Sequence, residues 1–364
     1  MSLRLLHVIA DAQFGGAQWY LIELASEQRA RGHTVTILSG NVGPLTDEYR
    51  RAATCFISLS SLRRGLGPWD LEAARAVAQE ARDHDIVHVH ASKALFVSQL
   101  PPNRARVVWS AHGYDSAHAE FPPALRPVLG CAKALLARRC AGVSVASQTV
   151  ARKLKQAGVL PQRTMVIYTG VREERFGSLP AVRAEPPMLF GAAGRLVRFK
   201  GFHVLVDAAA RLLADSVPAR FLLYGSGPEE MNLRDQVRAS GLSDIFQILP
   251  ATSNFPVALA AMDVVVVPSL VDSFPLVPCE AMVAGRPVVV TRVGGLPEAL
   301  VDGQHGIIVR PGQVAELADT LAALALAPER VRAMGTAASS YARTRYRWSR
   351  VAEEYESLYG LVPA

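Results

Sequence analysis

The sequence predicts an α/β protein made of two doubly wound domains with parallel sheets. Short apolar runs alternate with helical patterns along the whole chain, as they do where helices join parallel strands. The 364 residues are too many for one hydrophobic core of ordinary size. Residues 175–187, RFGSLPAVRAEPP, contain three prolines and no hydrophobic period, which is typical of a linker. We therefore expect one domain over 1–176, a linker over 177–187 and a second domain over 188–340.

Six strands are predicted in the first domain from short runs of apolar and β-branched residues. They are 3–10, 34–39, 85–92, 105–113, 142–148 and 164–170. A helix is expected between the first two, because Leu21, Leu24 and Ala25 recur at helical spacing and Gly32 follows as a helix end.

Six further strands and a helix over 201–214 are predicted in the second domain. The strands are 188–195, 219–227, 245–250, 263–269, 286–294 and 306–310. A last helix is expected within 341–364, with an apolar face formed by Trp348, Val351, Tyr355 and Leu358. This helix could pack on its own domain or cross back to the first, and the sequence slightly favours the crossing.

The formal net charge of +7 is concentrated in the first half of the chain. Residues 1–180 contain 22 Lys and Arg against 14 Asp and Glu, whereas the remainder contains 17 against 18. The excess suggests that the first domain faces an anionic partner such as a phospholipid, a phosphorylated acceptor or a nucleic acid. No basic stripe rich in aromatic residues is present, so nucleic acid is not expected.

The cysteine pattern and the hydropathy predict a cytoplasmic protein. The four cysteines are scattered and none is in CxxC spacing, which favours a reducing compartment and no zinc motif. The N-terminal segment MSLRLLHVIADAQFGG lacks the features of a signal peptide, and no apolar run reaches 18 residues. Peripheral contact with the inner membrane face stays open, because 125–142 could form a basic amphipathic helix, although an ordinary core-facing helix is the favoured interpretation.

A cluster of cations follows the first strand of the second domain. In GAAGRLVRFKGFHVLV (191–206) the strand runs into Arg195, and Arg198 and Lys200 precede Gly201 and a helix. Cations and a helix N-terminus at the carboxyl end of a strand suit a diphosphate, since Arg binds two oxygens at once and Lys adds a point charge. The alternative is solvated loop charge.

Two carboxylates flank an apolar, turn-forming segment in PSLVDSFPLVPCE (268–280). Asp272 is expected in a loop after a buried strand, and Glu280 in the first turn of the helix that follows. Carboxylates at this edge could accept bonds from vicinal hydroxyls, as an acidic residue does for ribose in dinucleotide folds. The alternatives are a turn cap with a helix-dipole partner, or an acid/base pair for glycoside hydrolysis.

Glycines and histidines mark further candidate positions. Gly15 and Gly16 open a helix after the first strand, and Gly225 follows a strand in LLYGSGPEE. Each allows close approach of the backbone to a ligand, or only a tight turn. His88 and His90 share a strand face, which favours a core role over a metal site. His112 follows a strand end and is favoured as a sugar or acceptor contact over a core histidine.

Together these residues resemble the family-4 retaining glycosyltransferases of GT-B architecture (glycosyl transferases group 1). The resemblance covers nearly the whole chain, and its most specific block is PSLVDSFPLVPCEAMVAGRPVVVTRVGGLPE (268–298). Weaker matches fall in the order of the family, at FGGAQ (14–18), VIYTGVREERF (166–176), GRLVRFKG (194–201) and LLYGSGP (222–228).

The resemblance implies that the first domain binds an acceptor and the second binds a nucleotide-sugar donor, with no cofactor and no metal. It implies a donor site formed by Gly15, Gly16, Arg195, Lys200, Gly225, Asp272, Phe274, Pro275, Leu276, Val277 and Glu280. It implies a catalytic set of His112, Arg195, Lys200 and Asp272. Arg195 and Lys200 would grip the diphosphate, Glu280 the ribose hydroxyls, and Asp272 the donor sugar.

Two departures from the family pattern bear on these expectations. Position 272 is Asp where the family usually has Glu, so the shorter side chain would reach the sugar differently. Position 169 is Thr where Asn is common, and no chemistry is assigned to it.

The expected function is transfer of a sugar from a UDP-sugar to a hydroxyl acceptor with retained anomeric configuration, in bacterial cell-surface glycan or glycolipid synthesis. The expected partners are the donor, a carbohydrate or lipid-linked acceptor and an anionic membrane surface. Three alternatives stay open: transfer to a soluble acceptor such as a cyclitol or an aglycone, a nucleotide-sugar epimerase, and a non-catalytic nucleotide-sugar binder.

Overall fold

The chain divides into two compact units, each of which is described by itself. Unit 1 is formed by Met1–Gly170 with Trp348–Ala364, and unit 2 by Val171–Arg347. The computed structural model describes residues 2–13, 15–62, 67–100, 105–112, 126–158, 163–176, 179–180, 182, 186–252 and 254–360, without the side chains of 126, 127 and 129.

Unit 1 is built on a parallel sheet of seven strands in the order β3-β2-β1-β4-β5-β6-β7. The strands are β1 Arg4–Ile9, β2 Thr34–Ser39, β3 Cys55–Ser58, β4 Ile86–His90, β5 Arg106–Ala111, β6 Gly142–Val145 and β7 Thr164–Val166. The order runs outwards from β1 to one side and then reverses at β4, so β1 and β4 lie side by side in the middle of the sheet. This reversal is the switch point of a doubly wound sheet.

Helices cover both faces of this sheet. They are α1 Gly16–Ala30, α2 Thr46–Ala52, α3 Trp69–Glu80, the short 3₁₀ turn Ala81–Asp83, α4 Ala91–Ser98, α5 Arg126–Arg138, α6 Gln148–Gln156 and, from the end of the chain, α13 Trp348–Tyr359. Alternate residues of β1 enter different cores: Leu5 and Ile9 pack with α1 and α13, whereas Leu6 and Val8 pack on the opposite face. The period of two along the strand thus divides the core into two layers.

Unit 2 contains a second parallel sheet, of six strands in the order β10-β9-β8-β11-β12-β13. Its strands are β8 Met188–Ala193, β9 Ala219–Tyr224, β10 Phe246–Leu249, β11 Val264–Val267, β12 Val288–Thr291 and β13 Gly306–Val309. Its helices are α7 Phe202–Ala214, α8 Glu230–Ala239, α9 Phe255–Ala260, α10 Leu276–Val283, α11 Val314–Ala325 and α12 Pro328–Arg345, with 3₁₀ turns at Glu173–Arg175, Arg198–Lys200 and Leu296–Glu298. No described helix is long and apolar enough to cross a bilayer.

The predicted fold class is confirmed, and all twelve predicted strands are present, one with the predicted bounds and eleven with at least one shifted end. Strand β3 was not predicted from the sequence. This strand has four residues at the edge of the sheet, where Cys55 is exposed and Phe56 and Ile57 are only partly buried. An edge strand this short carries no clear apolar alternation, so its sequence does not distinguish it from a loop.

The end of the chain differs from the single helix that the sequence predicts. Helix α12 stops at Arg345, because the Tyr346 carbonyl accepts a hydrogen bond from the Val171 amide at 2.7 Å and the Tyr346 hydroxyl donates to the Ala299 carbonyl at 2.7 Å. Helix α13 then starts at Trp348 and belongs to unit 1, so the crossing to the first domain is confirmed. The predicted apolar face, Trp348, Val351, Tyr355 and Leu358, is buried throughout.

The units divide after Gly170 and after Arg347, whereas the sequence places the boundaries at 176/177 and 340/341. Parts of the predicted linker 177–187, namely 177–178, 181 and 183–185, lie outside the described residues.

Replacing Leu358 tests whether α13 is part of the unit 1 core. Leu358 is fully buried, so Leu358→Ala should lower the free energy of unfolding by about 2–5 kcal/mol through lost burial and a residual cavity. Amide hydrogen exchange should locate the loss in the strands of unit 1. The matched control is Leu326→Ala, at a side chain that is 68% exposed, which should change stability by less than about 0.5 kcal/mol. Equal losses in the two variants would contradict this placement.

Candidate functional site

The switch point of unit 2 lies between β8 and β11, which pair at Val264 with Phe190. The chain leaves these neighbouring strands towards opposite sides of the sheet, which opens a crevice beyond their carboxyl ends. Lys200 lies in the segment after β8, and Asp272 lies in the loop after β11. Two oppositely charged side chains, 72 positions apart in sequence, therefore meet at one edge.

Lys200 and Asp272 form an ion pair at this edge. The Lys200 ammonium donates to Oδ2 of Asp272 at 2.7 Å, and the Ser269 hydroxyl donates to the same oxygen at 2.9 Å. The other oxygen, Oδ1, accepts the amide of Ser273 at 3.0 Å. The side chains of Lys200 and Asp272 are only 21% and 11% exposed, so the pair is screened less than a surface pair. The two side chains that the sequence assigned to separate tasks thus constrain each other.

The loop that carries Asp272 is held from both sides. On the β8 side, the Leu270 amide donates to the Phe199 carbonyl at 2.8 Å. On the β12 side, the Thr291 hydroxyl donates to the Ser269 carbonyl at 2.6 Å, and the Gly295 amide donates to the Ser273 carbonyl at 2.7 Å. Three successive loops are therefore joined into one hydrogen-bonded platform.

Glycine permits the close approach of these loops. Gly201 has φ of +70°, and a Cβ there would lie 2.0 Å from the Pro268 carbonyl oxygen. Gly294 has φ of +52°, and its Cβ would lie 1.8 Å from the Asp272 carbonyl oxygen. A side chain at either position would push the loops apart, so both glycines support the position of Asp272.

Glu280 lies one turn further into its helix than the sequence predicts. Helix α10 begins at Leu276, so Glu280 is in the second turn rather than the first. The first-turn interpretation is wrong because Pro275, and not Pro278, precedes the helix, with extended backbone at φ −75° and ψ 151°. The Glu280 carboxylate lies 3.9 Å from the Arg175 guanidinium, and its side chain is 15% exposed.

The remaining predicted donor residues of unit 2 lie around the same edge. Phe274 packs its ring against Tyr346, with centroids 6.3 Å apart. The N-terminus of α10, formed by Leu276 and Val277, has no side-chain cap. Arg195 is exposed, and the structure gives its side chain no hydrogen bond or ion pair with another described residue. Packing requires glycine at position 225, because a Cβ there would lie 2.1 Å from the Gly194 carbonyl oxygen.

In unit 1, the two predicted glycines form the start of α1. Gly15 precedes the helix with extended backbone and no side-chain cap, and Gly16 is exposed with no atom within 4 Å of an added Cβ. Neither glycine is required by packing against a distant part of the unit. The open space at Gly16 leaves room for a ligand at the helix N-terminus.

His112 lies at the end of a row of histidines beside the unit 1 switch point. It follows β5, and its Nε2 lies 2.9 Å from Nδ1 of His90. The His112 ring stacks on the ring of His90 at 5.2 Å and meets the edge of Tyr20 at 5.1 Å. Desolvation lowers the pKa of His112 to about 4, so the imidazole is neutral at pH 7. Gly113, which follows, lies outside the described residues.

Three buried histidines, His7, His88 and His90, place one nitrogen each within 4.8 Å of one another. Their nitrogens are already used: His7 bonds to Gln28 and His90, and His88 bonds to Tyr359 and Ser110. This arrangement fits a hydrogen-bonded core cluster, which agrees with the favoured sequence interpretation for His88 and His90. No role was predicted from the sequence for His7, Gln28 or Tyr359. Only His7 carried a signal, as a polar residue inside an apolar strand, whereas Gln28 and Tyr359 lie in helices with many polar residues.

The fold and the site define a class of protein, namely two-unit α/β proteins of the GT-B architecture with a charged site at a switch point. The comparisons identify the family. Residues 14–175 match the profile described as Glycosyltransferase Family 4, and residues 187–326 match the profile described as Glycosyl transferases group 1. The chain belongs to these family-4, group 1 glycosyltransferases.

Several relatives, including the two that follow, are named D-inositol 3-phosphate glycosyltransferase. The protein of Geodermatophilus obscurus is 30% identical over 358 residues, which cover 85% of this chain and 77% of that protein. The protein of Arthrobacter sp. (strain FB24) is 39% identical over 166 residues, which cover 44% of this chain but only 39% of that protein.

Among solved structures, the chain is similar to Anabaena HepE in complex with UDP and glucose. The TM-score is 0.86 at 22% sequence identity, and the match covers 99% of this chain and 100% of the other. At this identity the likeness establishes the shared fold.

Substituting Gly201 tests the glycine contacts of the platform. Gly201→Ala should lower the free energy of unfolding by more than about 2 kcal/mol, because positive φ adds about 1–2 kcal/mol of strain and Cβ also meets the Pro268 carbonyl. The control is Gly285→Ala, which has φ of +74° but nothing within 4 Å of Cβ, so only the backbone strain applies. Urea unfolding measures both variants. A Gly201 variant no less stable than the Gly285 variant would show that contact between the added Cβ and the Pro268 carbonyl does not lower the free energy of unfolding.

The lowered pKa values predict that acid destabilises unit 1. Unfolded histidines take up protons below pH 6.5, whereas folded His7 and His112 stay neutral until about pH 4. The unfolded state therefore binds more protons in this window, and stability falls as pH falls from 6.5 to 4. His112→Gln should reduce the pH slope of the free energy of unfolding by up to about one proton. Identical slopes for the variant and the unaltered protein, measured by denaturant unfolding at several pH values, would contradict the neutral state of His112.

Proposed function

We propose that the protein transfers a sugar from a nucleotide-diphosphate sugar to a hydroxyl acceptor. The observation that carries the proposal is the Lys200–Asp272 pair on a rigid platform at the unit 2 switch point. Switch points are where open α/β sheets bind ligands, and membership of the glycosyltransferase family makes a nucleotide sugar the natural ligand.

The donor diphosphate would lie between cations and a helix N-terminus. Arg195 offers an exposed guanidinium, which can bind two phosphate oxygens at once. Lys200 offers a point charge whose position Asp272 fixes at 2.7 Å. The amides of Leu276 and Val277 open α10 and add the positive end of its dipole. Gly225 would let the backbone approach the nucleotide.

The ribose and the sugar would be held by the acidic residues of the same edge. Glu280 would accept bonds from the ribose hydroxyls, with Arg175 as its charged neighbour at 3.9 Å. Asp272 would face the donor sugar, together with backbone groups of Phe274 and Pro275. Among the residues of unit 1, His112 is the proposed contact of the transferred sugar, and Gly15 and Gly16 are the proposed contacts of the phosphates.

We propose a retaining reaction that needs no metal. The acceptor oxygen bonds to the anomeric carbon on the face from which the diphosphate departs, and the broken carbon–oxygen bond leaves its electron pair on the diphosphate. The acceptor proton moves to a phosphate oxygen. Arg195, Lys200 and the α10 amides stabilise the charge that develops on the leaving group, which is electrostatic catalysis by groups already in place.

UDP is the proposed carrier, because the similar structure of HepE was solved with UDP and glucose. For the acceptor, the names of the relatives favour a soluble phosphorylated cyclitol. The positive charge of residues 1–180 suits a phosphate on that acceptor. A carbohydrate or lipid-linked acceptor at an anionic inner membrane face, in cell-surface glycan synthesis, is the second candidate, and it rests on the same charge. With either acceptor, the proposed location of the protein is the cytoplasm.

Calorimetry with UDP, GDP and ADP in EDTA tests the donor site. One diphosphate, expected to be UDP, should bind without metal, and Lys200→Ala and Glu280→Ala should each weaken binding at least about tenfold, because a hydrogen bond to a charged group is worth about 1.5–3 kcal/mol. The control is Arg332→Ala, which removes an exposed ion pair with Glu329 and should bind UDP normally. Absence of binding by every diphosphate would overturn the donor site.

Product analysis tests the acceptor. UDP-sugar incubated with D-inositol 3-phosphate should yield a glycoside with the anomeric configuration of the donor, seen by NMR. Product only with lipid-linked acceptor in anionic vesicles would favour the second candidate. Conversion of donor without acceptor would instead indicate an epimerase, and binding without turnover a non-catalytic binder.

A further inference from the structure

A continuous chain of hydrogen bonds runs through the middle of the unit 1 sheet. It begins at Gln28 on α1, whose Oε1 lies 2.8 Å from Nε2 of His7 on β1. Nδ1 of His7 lies 2.9 Å from Nε2 of His90 on β4, and Nδ1 of His90 lies 2.9 Å from Nε2 of His112 after β5. Three imidazoles therefore connect a buried amide to the carboxyl edge of the sheet.

Every imidazole of this row except the last, His112, is fully buried. Gln28 is 1% exposed, and His7 and His90 are fully buried. Burial lowers the pKa of His7 to about 4 and that of His90 well below its usual range, so both rings are neutral at pH 7. A neutral imidazole carries one proton, so each ring donates through one nitrogen and accepts through the other.

The donor-to-acceptor direction of these hydrogen bonds follows from the orientation of the Gln28 amide. Its amide nitrogen donates to the Tyr359 hydroxyl at 2.9 Å, which leaves its oxygen to accept the proton on Nε2 of His7. Nδ1 of His7 must then accept from Nε2–H of His90. By the same step, Nδ1 of His90 accepts from Nε2–H of His112.

We propose that Gln28, acting through His7 and His90, fixes the tautomer of His112, with the proton on Nε2 and the lone pair on Nδ1. Gln28, His7 and His90 are positioning residues for His112. Nδ1 of His112 has no hydrogen-bond partner among the residues that the structure describes. At the end of this row of hydrogen-bonded imidazoles, the His112 ring therefore offers a hydrogen-bond acceptor and not a donor.

A second branch supports the same direction. The Tyr359 hydroxyl accepts from Gln28, so its own proton is directed to Nδ1 of His88 at 2.8 Å. Nε2–H of His88 then donates to the Ser110 hydroxyl at 2.6 Å, and Ser110 continues to Ser144 at 2.7 Å. Turning the Gln28 amide around would reverse both branches together. One amide thus sets the proton positions of four histidines.

The consequence for the reaction rests on the proposed function. If His112 contacts the transferred sugar or the acceptor, an Nδ1 that carries a lone pair selects a group that donates a hydrogen bond, such as a sugar hydroxyl. Because the ring stays neutral, it adds no positive charge there. The tautomer itself does not depend on the reaction and is measured without substrate.

The test is a long-range ¹H–¹⁵N NMR spectrum of histidine-labelled protein at pH 7, with His112 assigned by loss of its signals in His112→Asn. We expect His112 to show a protonated Nε2 and an imine-type Nδ1. Gln28→Met removes the acceptor for His7, so the two nitrogen shifts of His112 should move towards each other as both tautomers become populated.

The matched control is Ser144→Ala, which removes buried hydrogen bonds to Ser110 and Tyr355 but leaves the imidazole chain intact. It should leave the His112 shifts unchanged. A protonated Nδ1 in the unaltered protein overturns the proposal even if no variant folds. An equal response to Gln28→Met and Ser144→Ala also overturns it, since His112 would then report only general loosening.

Two further measurements separate this proposal from others. Stoichiometric zinc in the purified protein would overturn the proposal if the ¹⁵N chemical shifts of His7 and His90 change when the zinc is removed. These histidines would then form a metal site and not a row of hydrogen bonds.

UDP titration into the same samples tests the proposed function independently. Failure of UDP to bind leaves the tautomer result standing, whereas UDP binding with a protonated Nδ1 removes only the inference about His112.

Discussion

Reversal of strand order beside the first strand of each parallel sheet is the constraint on which the chemistry of this protein depends. In each sheet the carboxyl ends of all strands lie at one edge. Where the strand order reverses, the segments that leave two neighbouring strands diverge, after β1 and β4 in unit 1 and after β8 and β11 in unit 2. Residues distant in sequence therefore meet without long excursions of the backbone. The Lys200–Asp272 pair is the clearest result in unit 2, and the His7–His90 contact is its counterpart in unit 1.

The two units use this constraint in opposite ways. In unit 2 the polar groups lie beyond the strands, on loops joined to one another, where a ligand can reach them. In unit 1 the buried histidines His7, His88 and His90 lie on the strands themselves, inside a core of apolar residues. Buried polar groups are costly unless each one is paired, and Gln28, His7, His88 and His90 all have partners. Such a paired cluster holds its members in one arrangement, which is why it can orient a side chain at the edge.

The sequence predicted most of the fold because buried parallel strands are apolar runs with sharp ends. It also placed Lys200, Asp272 and Glu280 near one edge, since each follows a strand end. It could not predict that Lys200 and Asp272 bond to each other, because spacing along the chain carries no distance. It missed the part played by Gln28 and Tyr359 for the same reason, since these partners are 331 positions apart. The start of α10 was misplaced because two prolines, Pro275 and Pro278, each fit the first turn of a helix.

Unit 2 is inserted into unit 1, because α13 returns to the first sheet after all of Val171–Arg347. During synthesis, the ribosome releases unit 2 in full before it releases the helix that completes unit 1. Until then, Tyr355 and Tyr359 are missing from the buried face of the sheet, and the hydroxyls that pair with Ser110 and His88 are absent. Unit 1, which the ribosome begins first, is thus the last to complete its core, because one of its two core layers contains no residue of α13 and the other waits for it.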